Sequence, residues 1–308
     1  MALRKYKPCG TYNDEGTLTG LRITSTLIKR LTYKNEPRQE ICPRKEYHHI
    51  LKGDVKTPPS DIMKRGILFE AICLKDEEVE YQMERKLRLR NGKQSVHTQR
   101  IYEAAERFAM IADKYEMTID ENQVTVHGDL EIERFEHIKF ELEGTIDNIT
   151  GVNSPVFHHA RAGIDMKLTM DRNSEFSEWS WGKPEYMDHV QLVLYGFLSK
   201  LPQAYMVFDY KARDRGHKFI PVATPEMFPN GQPEDLHMRQ HYNLAKERFT
   251  NLRINIKDVA HTILKWDATE YEPEPSYEAC KNCPLSPQNF NEDDQSLLCK
   301  QASYTSIV

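Results

Sequence analysis

The sequence predicts an α/β fold built around one central sheet. Helical spacing of apolar residues comes first, at 62–73 and at 99–116. Apolar and polar residues then alternate across 123–148, which is typical of half-buried strands. An apolar strand pattern at 204–210 precedes a long helical pattern at 235–266. Because helices stand before and after the strands, we expect them to flank a single central sheet.

Capping residues and proline define where several helices begin. Ser25 or Thr26 is expected to cap a first helix, and Ser60 or Asp61 is expected to cap the helix at 62–73, since short polar side chains satisfy free backbone N–H groups. A proline at position 184 suits the first turn of a further helix that runs to about residue 200. These assignments predict helices on both sides of the strand region.

The length and composition are those of a globular protein with a sizeable core. The chain has 308 residues, of which 39% are hydrophobic and 29% charged, and its formal net charge is −5. No stretch approaches the roughly 20 apolar residues of a membrane span, so we expect a cytosolic protein with reduced or metal-bound cysteines. We expect one integrated domain made of an N-terminal segment, a core and a C-terminal helix with a cysteine-bearing tail, at residues 1–60, 61–225 and 226–308.

Two short segments place charged residues at the ends of apolar strands. Glu143–Asp147 and Ala162–Lys167 each lead from small and apolar residues to an acid. Asp165 and Lys167 are two residues apart, so they lie on the same face of an extended strand. Two carboxylates and an ammonium near one point would be costly in a core but would suit a Mg²⁺ or Mn²⁺ site. A surface hairpin with an Asp–Lys pair is the alternative, and these residues alone favour neither.

A basic segment precedes these strands. Residues 85–100 contain six Lys or Arg and no acid, and such a run is most often a solvated face. As a functional element it would contact the phosphate groups of DNA. The six cations are Arg85, Lys86, Arg88, Arg90, Lys93 and Arg100.

In combination these segments resemble a known family, the RecB-like branch of the PD-(D/E)XK nuclease superfamily. The resemblance covers roughly residues 20–211. It rests on Gly66–Glu70 in the upstream helix, on Gly144–Asp147, on the (D/E)-x-K element Asp165–Lys167 and on the Gln-x-x-x-Tyr helix Gln191–Tyr195. It implies a restriction-endonuclease-like core with a central mixed sheet flanked by helices.

The resemblance also implies a role for each matching residue. The two strand aspartates would bind one or two Mg²⁺ or Mn²⁺ ions, and the acid of the upstream helix would complete the cluster. The lysine would position the attacking water. The glutamine and tyrosine would hold the lysine or contact the DNA backbone. The implied catalytic set is Glu70, Asp147, Asp165, Lys167, Gln191 and Tyr195, and the implied metal ligands are Glu70, Asp147 and Asp165.

The cysteines resemble those of the iron–sulfur subset of the same branch, which includes AddB-type helicase–nucleases and nucleases of CRISPR adaptation and of phages. In that subset one cysteine before the core and three after it hold a [4Fe–4S] cluster. The long interval before Cys299 leaves Cys9 or Cys73 as replacements for it. Zn²⁺ suits four thiolates equally well, and unrelated buried thiols are the remaining alternative. The candidate ligands are Cys42, Cys280, Cys283 and Cys299.

Together these features lead to one function and two alternatives. We expect a metal-dependent DNA nuclease, specifically an exonuclease, since no helicase phosphate loop and no sequence-reading domain is recognisable. Trp179, Trp181 or Tyr210 would stack on unpaired bases. The resemblance implies DNA recombination or repair in a bacterial or phage-infected cell, with DNA, an annealing protein or further copies of the chain in a homo-oligomer as partners. The alternatives are a non-catalytic DNA-binding or assembly module and a zinc-stabilised interaction protein.

Overall fold

A computed structural model confirms the mixed α/β fold, with a central mixed sheet flanked by helices. The residues that it describes are 7–32, 41–55, 59–132, 135–153, 160–170, 190–211, 216–222, 236–274, 280, 283–287, 289 and 295–299.

The described residues form seven strands and seven α-helices. The strands are β1 (Gly10–Tyr12), β2 (Leu18–Thr24), β3 (Thr118–Leu130), β4 (Lys139–Val152), β5 (Ala160–Thr169), β6 (Gln203–Asp209) and β7 (His217–Val222). The helices are α1 (Ser25–Thr32), α2 (Pro43–Glu46), α3 (Asp61–Cys73), α4 (Glu77–Leu87), α5 (Val96–Lys114), α6 (Val190–Ser199) and α7 (Leu236–Asp267). A π-helical turn at Tyr47–Leu51 follows α2, and a 3₁₀ turn lies at Gln295–Leu297.

The sheet has the strand order β1-β2-β4-β5-β6-β7, and β3 pairs with β4 outside this path. The pairs β2–β4 and β5–β6 are parallel, whereas β1–β2, β4–β5 and β6–β7 are antiparallel. Parallel neighbours require a crossover connection, and α6 lies in the crossover between β5 and β6. The sheet is therefore mixed, as the sequence predicts.

The chain divides into two compact units, each made of segments that are distant in sequence. Among the described residues, unit 1 is drawn from Pro59–His127 and Gly144–Arg253. Unit 2 contains Tyr6–Pro58, Gly128–Glu143 and Ile254–Val308. The N-terminal segment with its cysteine and the cysteine-bearing tail therefore belong to the same unit.

In unit 1 the alternation of β5 separates a hydrophobic face from a polar one. Ala162, Ile164 and Met166 pack with Leu68 and Phe69 of α3 in one buried cluster, which also includes residues of α4, α5 and β6. Because successive side chains of a strand point to opposite faces, the odd-numbered positions of β5 face away from this cluster. The charged positions of β5 are thus on the face opposite the helical core.

In unit 2 three tyrosines join segments from both ends of the chain. The rings of Tyr47 and Tyr271 are stacked with centroids 4.4 Å apart, and the Tyr12 ring meets Tyr47 edge-on at 5.5 Å. The hydroxyls of Tyr12 and Tyr271 are 3.1 Å apart. Such aromatic contacts add to the area that the rings bury and hold the tail against the N-terminal segment.

Helix starts agree with the sequence in one case and differ in another. Ser60 caps α3, because its hydroxyl accepts a hydrogen bond from the Met63 N–H at 3.3 Å. The expected cap at Ser25 or Thr26 is wrong. Strand β2 runs to Thr24, whose hydroxyl accepts from the Leu27 N–H at 3.3 Å, so α1 begins at Ser25, one residue before a cap at Ser25 would start it. The start predicted at residue 184 lies outside the described residues, as do Trp179 and Trp181. Because the Tyr210 ring is buried, it cannot stack on a base as the sequence analysis suggested.

No described helix combines the length and apolar character of a membrane span.

Candidate active site and thiol cluster

The antiparallel register of β4 and β5 brings two carboxylates together. Asn148 pairs with Ile164, so Asp147 and Asp165 are the next residues on the two strands. The Met166 N–H donates a hydrogen bond to Asp147 Oδ2 at 3.2 Å, which confirms that the side chain reaches β5. Asp165 is fully buried and Asp147 nearly so. Buried carboxylates this close need compensation by a cation.

Lys167 supplies a positive charge at this pair. Its ammonium contacts Asp165 Oδ2, and it lies 6.0 Å from the ring centroid of Tyr205. Burial alone would lower the pKa of Lys167, but Asp165 and Asp147 outweigh burial and raise it above the ordinary lysine value. Lys167 is therefore an ammonium at neutral pH.

Helix α6 contacts the other oxygen of the Asp165 carboxylate. The Gln191 amide donates to Asp165 Oδ1 at 2.7 Å and to the Tyr195 hydroxyl at 3.0 Å. Gln191 and Tyr195 are four residues apart, hence on one helical face. Burial, followed by the charges of Asp165 and Asp147, raises the pKa of Tyr195, so its hydroxyl keeps its proton. Gln191 and Tyr195 thus form a chain of hydrogen bonds that ends on Asp165.

Glu70 comes from the helical layer that covers the hydrophobic face of β5. It lies on α3, and its carboxylate accepts a hydrogen bond from the Gln123 amide of β3. Burial and then Glu70 raise the pKa of Cys73, which is on the same helix. The contact with Gln123 was not predicted from the sequence, because it requires β3 to be placed beside β4. The role of Glu70 as a metal ligand stays a prediction.

Gly144 and Tyr205 also belong to this site, and sequence reasoning did not assign them a role. A Cβ atom at position 144 would lie 2.6 Å from Cδ1 of the Tyr195 ring, so only glycine leaves room for that ring. Tyr205 stands beside Asp165 in the parallel register of β5 and β6. Neither relation has a local sequence pattern, because both depend on how distant elements pack.

The basic segment forms the connection between two helices. Arg85 and Lys86 lie in the last turn of α4. Five of the six cations are exposed, while Arg100 in α5 is half-buried. Arg88 pairs with Glu84 at 3.2 Å, and the Arg85 guanidinium lies 5.7 Å from the Tyr81 ring centroid. The segment is accessible to a large ligand, and its contact with DNA stays a prediction.

Four of the six cysteines gather in unit 2. Cys283, Cys299 and Leu285 pack in one buried cluster, and the Cys299 N–H donates to the Leu285 carbonyl at 2.8 Å. Burial raises the pKa of Cys283, the Leu285 N–H and Lys45 lower it, and Cys42 and Cys280 raise it again. The Cys283 N–H also donates to the Cys280 carbonyl at 3.0 Å. We call the set Cys42, Cys280, Cys283 and Cys299 the thiol cluster.

The two remaining cysteines have other neighbours. Cys9 is also in unit 2, where Arg22 and Thr24 act on its pKa after burial has raised it. Cys73 belongs to α3 in unit 1. All six cysteines are buried free thiols. Their surroundings favour Cys299 over Cys9 and Cys73 as the fourth member of the thiol cluster.

The donor chemistry of the two sites differs. Two carboxylates with hard oxygen donors fit Mg²⁺ or Mn²⁺, and four soft thiols fit an iron–sulfur cluster or Zn²⁺. Within the described part of the chain, no three His, Cys, Asp or Glu side chains already surround one point as metal ligands would. Metal binding at either site is therefore inferred from donor type and proximity.

Comparison with known proteins adds little to this geometry. No protein-family model and no curated protein matches the chain. One similar solved structure is a candidate exonuclease from Eubacterium rectale, 14% identical, with 85% of this chain and 86% of that chain covered and a TM-score of 0.48. Another is SSO0001, 11% identical, with 92% and 87% covered and a TM-score of 0.33. At these values the function has to be argued from the site itself.

Proposed function

We propose that the chain is a Mg²⁺- or Mn²⁺-dependent DNA nuclease and that it acts as an exonuclease. The observation that carries this proposal is the convergence of Asp147, Asp165 and Lys167 at one point of the sheet. Two buried carboxylates held beside one ammonium are costly in a purely structural core. Strongly interacting buried charges are characteristic of functional sites.

Asp147 and Asp165 are the residues that would hold the divalent ion, and Glu70 is the third carboxylate on the same unit. When bound, the ion would polarise the scissile phosphate, activate a water molecule and stabilise the leaving oxygen. Oxygen donors of this kind are the ones that Mg²⁺ and Mn²⁺ prefer.

The protein side chains have distinct tasks in this proposal. Lys167, as an ammonium, donates hydrogen bonds that orient the attacking water and offsets negative charge on the phosphate. Asp165 holds Lys167 in place, and Gln191 fixes the rotamer of Asp165 through its other oxygen. Tyr195 in turn fixes Gln191 and keeps its proton. The chain of contacts positions the reacting groups before substrate binds.

We also infer that the thiol cluster holds a [4Fe–4S] cluster, with Zn²⁺ as the alternative. The backbone hydrogen bond between Cys283 and Cys280 and the packing of Cys283 with Cys299 support this inference. Its role would be structural, because the ligands come from both ends of the chain and binding would tie those ends together.

Digestion of end-labelled DNA tests the nuclease proposal. Linear and circular DNA, single- and double-stranded, would be incubated with anaerobically purified protein and Mg²⁺ or Mn²⁺. We expect the wild type to degrade linear DNA and to spare circles, and the position of the label to give the polarity. Lys167→Ala should lower the rate by about 10²- to 10³-fold, since it removes one charge at the reacting phosphate.

Lys139→Ala is the matched control, because Lys139 is an exposed lysine of β4 in unit 2. It should digest DNA at the wild-type rate. Cutting of circles would establish an endonuclease. Absence of cleavage by metal-loaded wild type would refute the nuclease proposal and favour a non-catalytic DNA-binding module.

A further inference from the structure

Gln123 has an unusual backbone conformation for a residue inside a strand. It lies within β3, yet its φ angle is 54°, in the left-handed region. Residues with a long side chain seldom adopt this region, because the Cβ atom comes too close to the following carbonyl oxygen. Such strain persists only where the surrounding structure holds it. The conformation of Gln123 therefore indicates that contacts with neighbouring elements fix it.

One of these contacts comes from Asn148 of β4. The Asn148 side chain is buried, and its amide donates to Asn122 Oδ1 at 2.8 Å and to the Glu121 carbonyl at 3.4 Å. Both acceptors directly precede Gln123 in the chain. Asn148 thus holds β3 at the point where its backbone becomes left-handed.

The left-handed residue lies beside Asp147. Strand β3 pairs with β4, and Asn122 contacts Asn148. Further along, a Cβ atom at Gly144 would lie 3.6 Å from Val126 Cγ2. Residue numbers therefore fall along β4 as they rise along β3, which makes this pair antiparallel. The position after Asn122 is then the cross-strand neighbour of Asp147.

The side chain of Gln123 connects this strand pair to helix α3. Its amide donates a hydrogen bond to the Glu70 carboxylate. In a regular strand successive side chains alternate between the two faces, and a local irregularity of the backbone changes the direction of one of them. The left-handed conformation thus aims the Gln123 amide at α3. Because an amide is neutral, it fixes the Glu70 carboxylate and leaves its negative charge in place.

The same arrangement occurs at a second carboxylate of the site. The Gln191 amide of α6 holds Asp165, as the Gln123 amide of β3 holds Glu70. Carboxylates that bind metals are themselves oriented by hydrogen bonds, and loss of such a partner typically lowers metal affinity or activity about 10- to 100-fold. Two of the three carboxylates expected to bind a metal are therefore each oriented by a glutamine.

We propose that Gln123 is a positioning residue, which holds Glu70 in the orientation that divalent-metal binding requires. The proposal rests on the nuclease function proposed above. It also assigns a purpose to the left-handed backbone, because only that conformation directs the amide to α3. Relief of the strain should then preserve stability and reduce metal affinity.

Two substitutions separate the backbone from the amide. Gln123→Gly removes the amide and relieves the strain, whereas Gln123→Asn tolerates the left-handed backbone but has an amide that is one methylene shorter. We expect both to weaken Mn²⁺ binding and to slow single-turnover cleavage of linear DNA about 10- to 100-fold. The melting temperature of Gln123→Gly should equal or exceed that of the wild type, because relief of strain offsets the lost hydrogen bond.

Lys75→Gly is the matched control. Lys75 is an exposed residue just after α3, and its φ angle of 57° is in the same left-handed region. Lys75→Gly should also be at least as stable as the wild type, but it should bind Mn²⁺ with unchanged affinity. A Gln123→Gly protein whose melting temperature falls while its Mn²⁺ affinity equals that of Lys75→Gly would overturn the proposal and leave Gln123 as a structural contact.

Combination with Glu70→Gln tests whether Gln123 acts through Glu70. In the Glu70→Gln background the carboxylate is already absent, so Gln123→Gly should lower Mn²⁺ affinity by no more than about twofold further. An equal loss in both backgrounds would show that the two residues act independently and would overturn the proposal. If Gln123→Gly does not fold, Gln123→Asn decides in the same cycle.

The outcome is separable from that of the nuclease proposal. Coupling between Gln123 and Glu70 in Mn²⁺ binding, with no cleavage by the wild type, would support the positioning role and refute the nuclease. Cleavage by the wild type, with wild-type Mn²⁺ affinity in both Gln123 variants, would refute the positioning role alone. A wild type that neither binds Mn²⁺ nor cleaves DNA would refute both.

Discussion

The carboxylate site of unit 1 and the thiol cluster of unit 2 are assembled in different ways. Asp147 and Asp165 are close in sequence, and the ladder of hydrogen bonds between β4 and β5 fixes their separation. Cys42 and Cys299 come from opposite ends of the chain and lie on turns and loops rather than on paired strands. The first site is therefore built by local sheet register, whereas the second depends on closing a very long loop.

The two sites also differ in charge. Lys167 contacts the carboxylate pair, while burial raises the pKa of Cys283 and favours the neutral thiol. A metal at the thiols has to displace protons, so its binding free energy contributes directly to folding. The comparison predicts that changes at the first site alter chemistry and that changes at the second alter stability.

Asp165→Asn should have the largest effect on chemistry. The substitution keeps the shape of the side chain but removes its charge, and we expect single-turnover cleavage of linear duplex DNA to fall about 10³-fold. Asp120→Asn, at an exposed aspartate of β3, should cleave at the wild-type rate. Cleavage by Asp165→Asn within tenfold of wild type would mean that the carboxylate pair is not the reacting site.

Cys283→Ser should act on stability instead. We expect loss of bound iron and acid-labile sulfide, or of zinc, and a destabilisation of about 3–5 kcal/mol, or roughly 10 °C in melting temperature. Cleavage per folded molecule should change less than threefold. Cys9→Ser should keep the full metal content, because Cys9 has other neighbours. Equal metal content in Cys283→Ser and wild type would exclude the thiol cluster as the ligand set.

Gly144→Ala should weaken the active site without removing a functional group. Its Cβ would collide with the Tyr195 ring, so that Gln191 loses its support, and we expect cleavage to fall about 10- to 100-fold. Gly66→Ala is the control, since a Cβ there meets no atom within 4 Å and alanine favours the helix. Wild-type activity in Gly144→Ala would show that Tyr195 does not need its observed position.

The smallest predicted effect is the acid sensitivity that His48 gives to unit 2. His48 Nδ1 lies 3.0 Å from Asp54 Oδ2, and burial lowers the pKa of His48 although Asp54 raises it. The folded protein holds His48 neutral. The stability that this neutral histidine contributes is present above the ordinary histidine pKa of about 6.5 and is lost as the pH falls below it.

Urea unfolding at pH 7.5, 6.5 and 5.5 measures this loss. His48→Asn should lose less stability on acidification than the wild type, and His127→Asn, at an exposed histidine of β3, should lose as much as the wild type. An unchanged pH dependence in His48→Asn would contradict the assignment.

Local patterns in the sequence predicted helices α3, α5 and α7 and strand β6, whereas helix α4 was not predicted. Alternation predicted that Asp165 and Lys167 share a face, and the four-residue spacing did the same for Gln191 and Tyr195. The α/β class follows from the order of these patterns. The cap at Thr24 was missed because the strand pattern and the helix pattern meet there without a break.

What the sequence did not contain is the register between distant strands. That Gln191 binds Asp165 rather than the lysine, and that Tyr195 needs Gly144, depends on packing between α6, β4 and β5. Arg65 of α3 and His97 of α5 both contact Tyr210 after β6, so only the tertiary fold brings these side chains together. Pairwise contacts of this kind have no periodic pattern from which to infer them.

Binding of Mn²⁺, monitored through the electron paramagnetic resonance signal of the free ion, tests most directly whether Asp147 and Asp165 form a divalent-metal site. The wild type should bind at least one Mn²⁺ that the Asp147→Ala/Asp165→Ala double variant does not bind, while both retain the same helical content. Equal Mn²⁺ binding by the two proteins would contradict the account and leave the carboxylates as structural partners of Lys167.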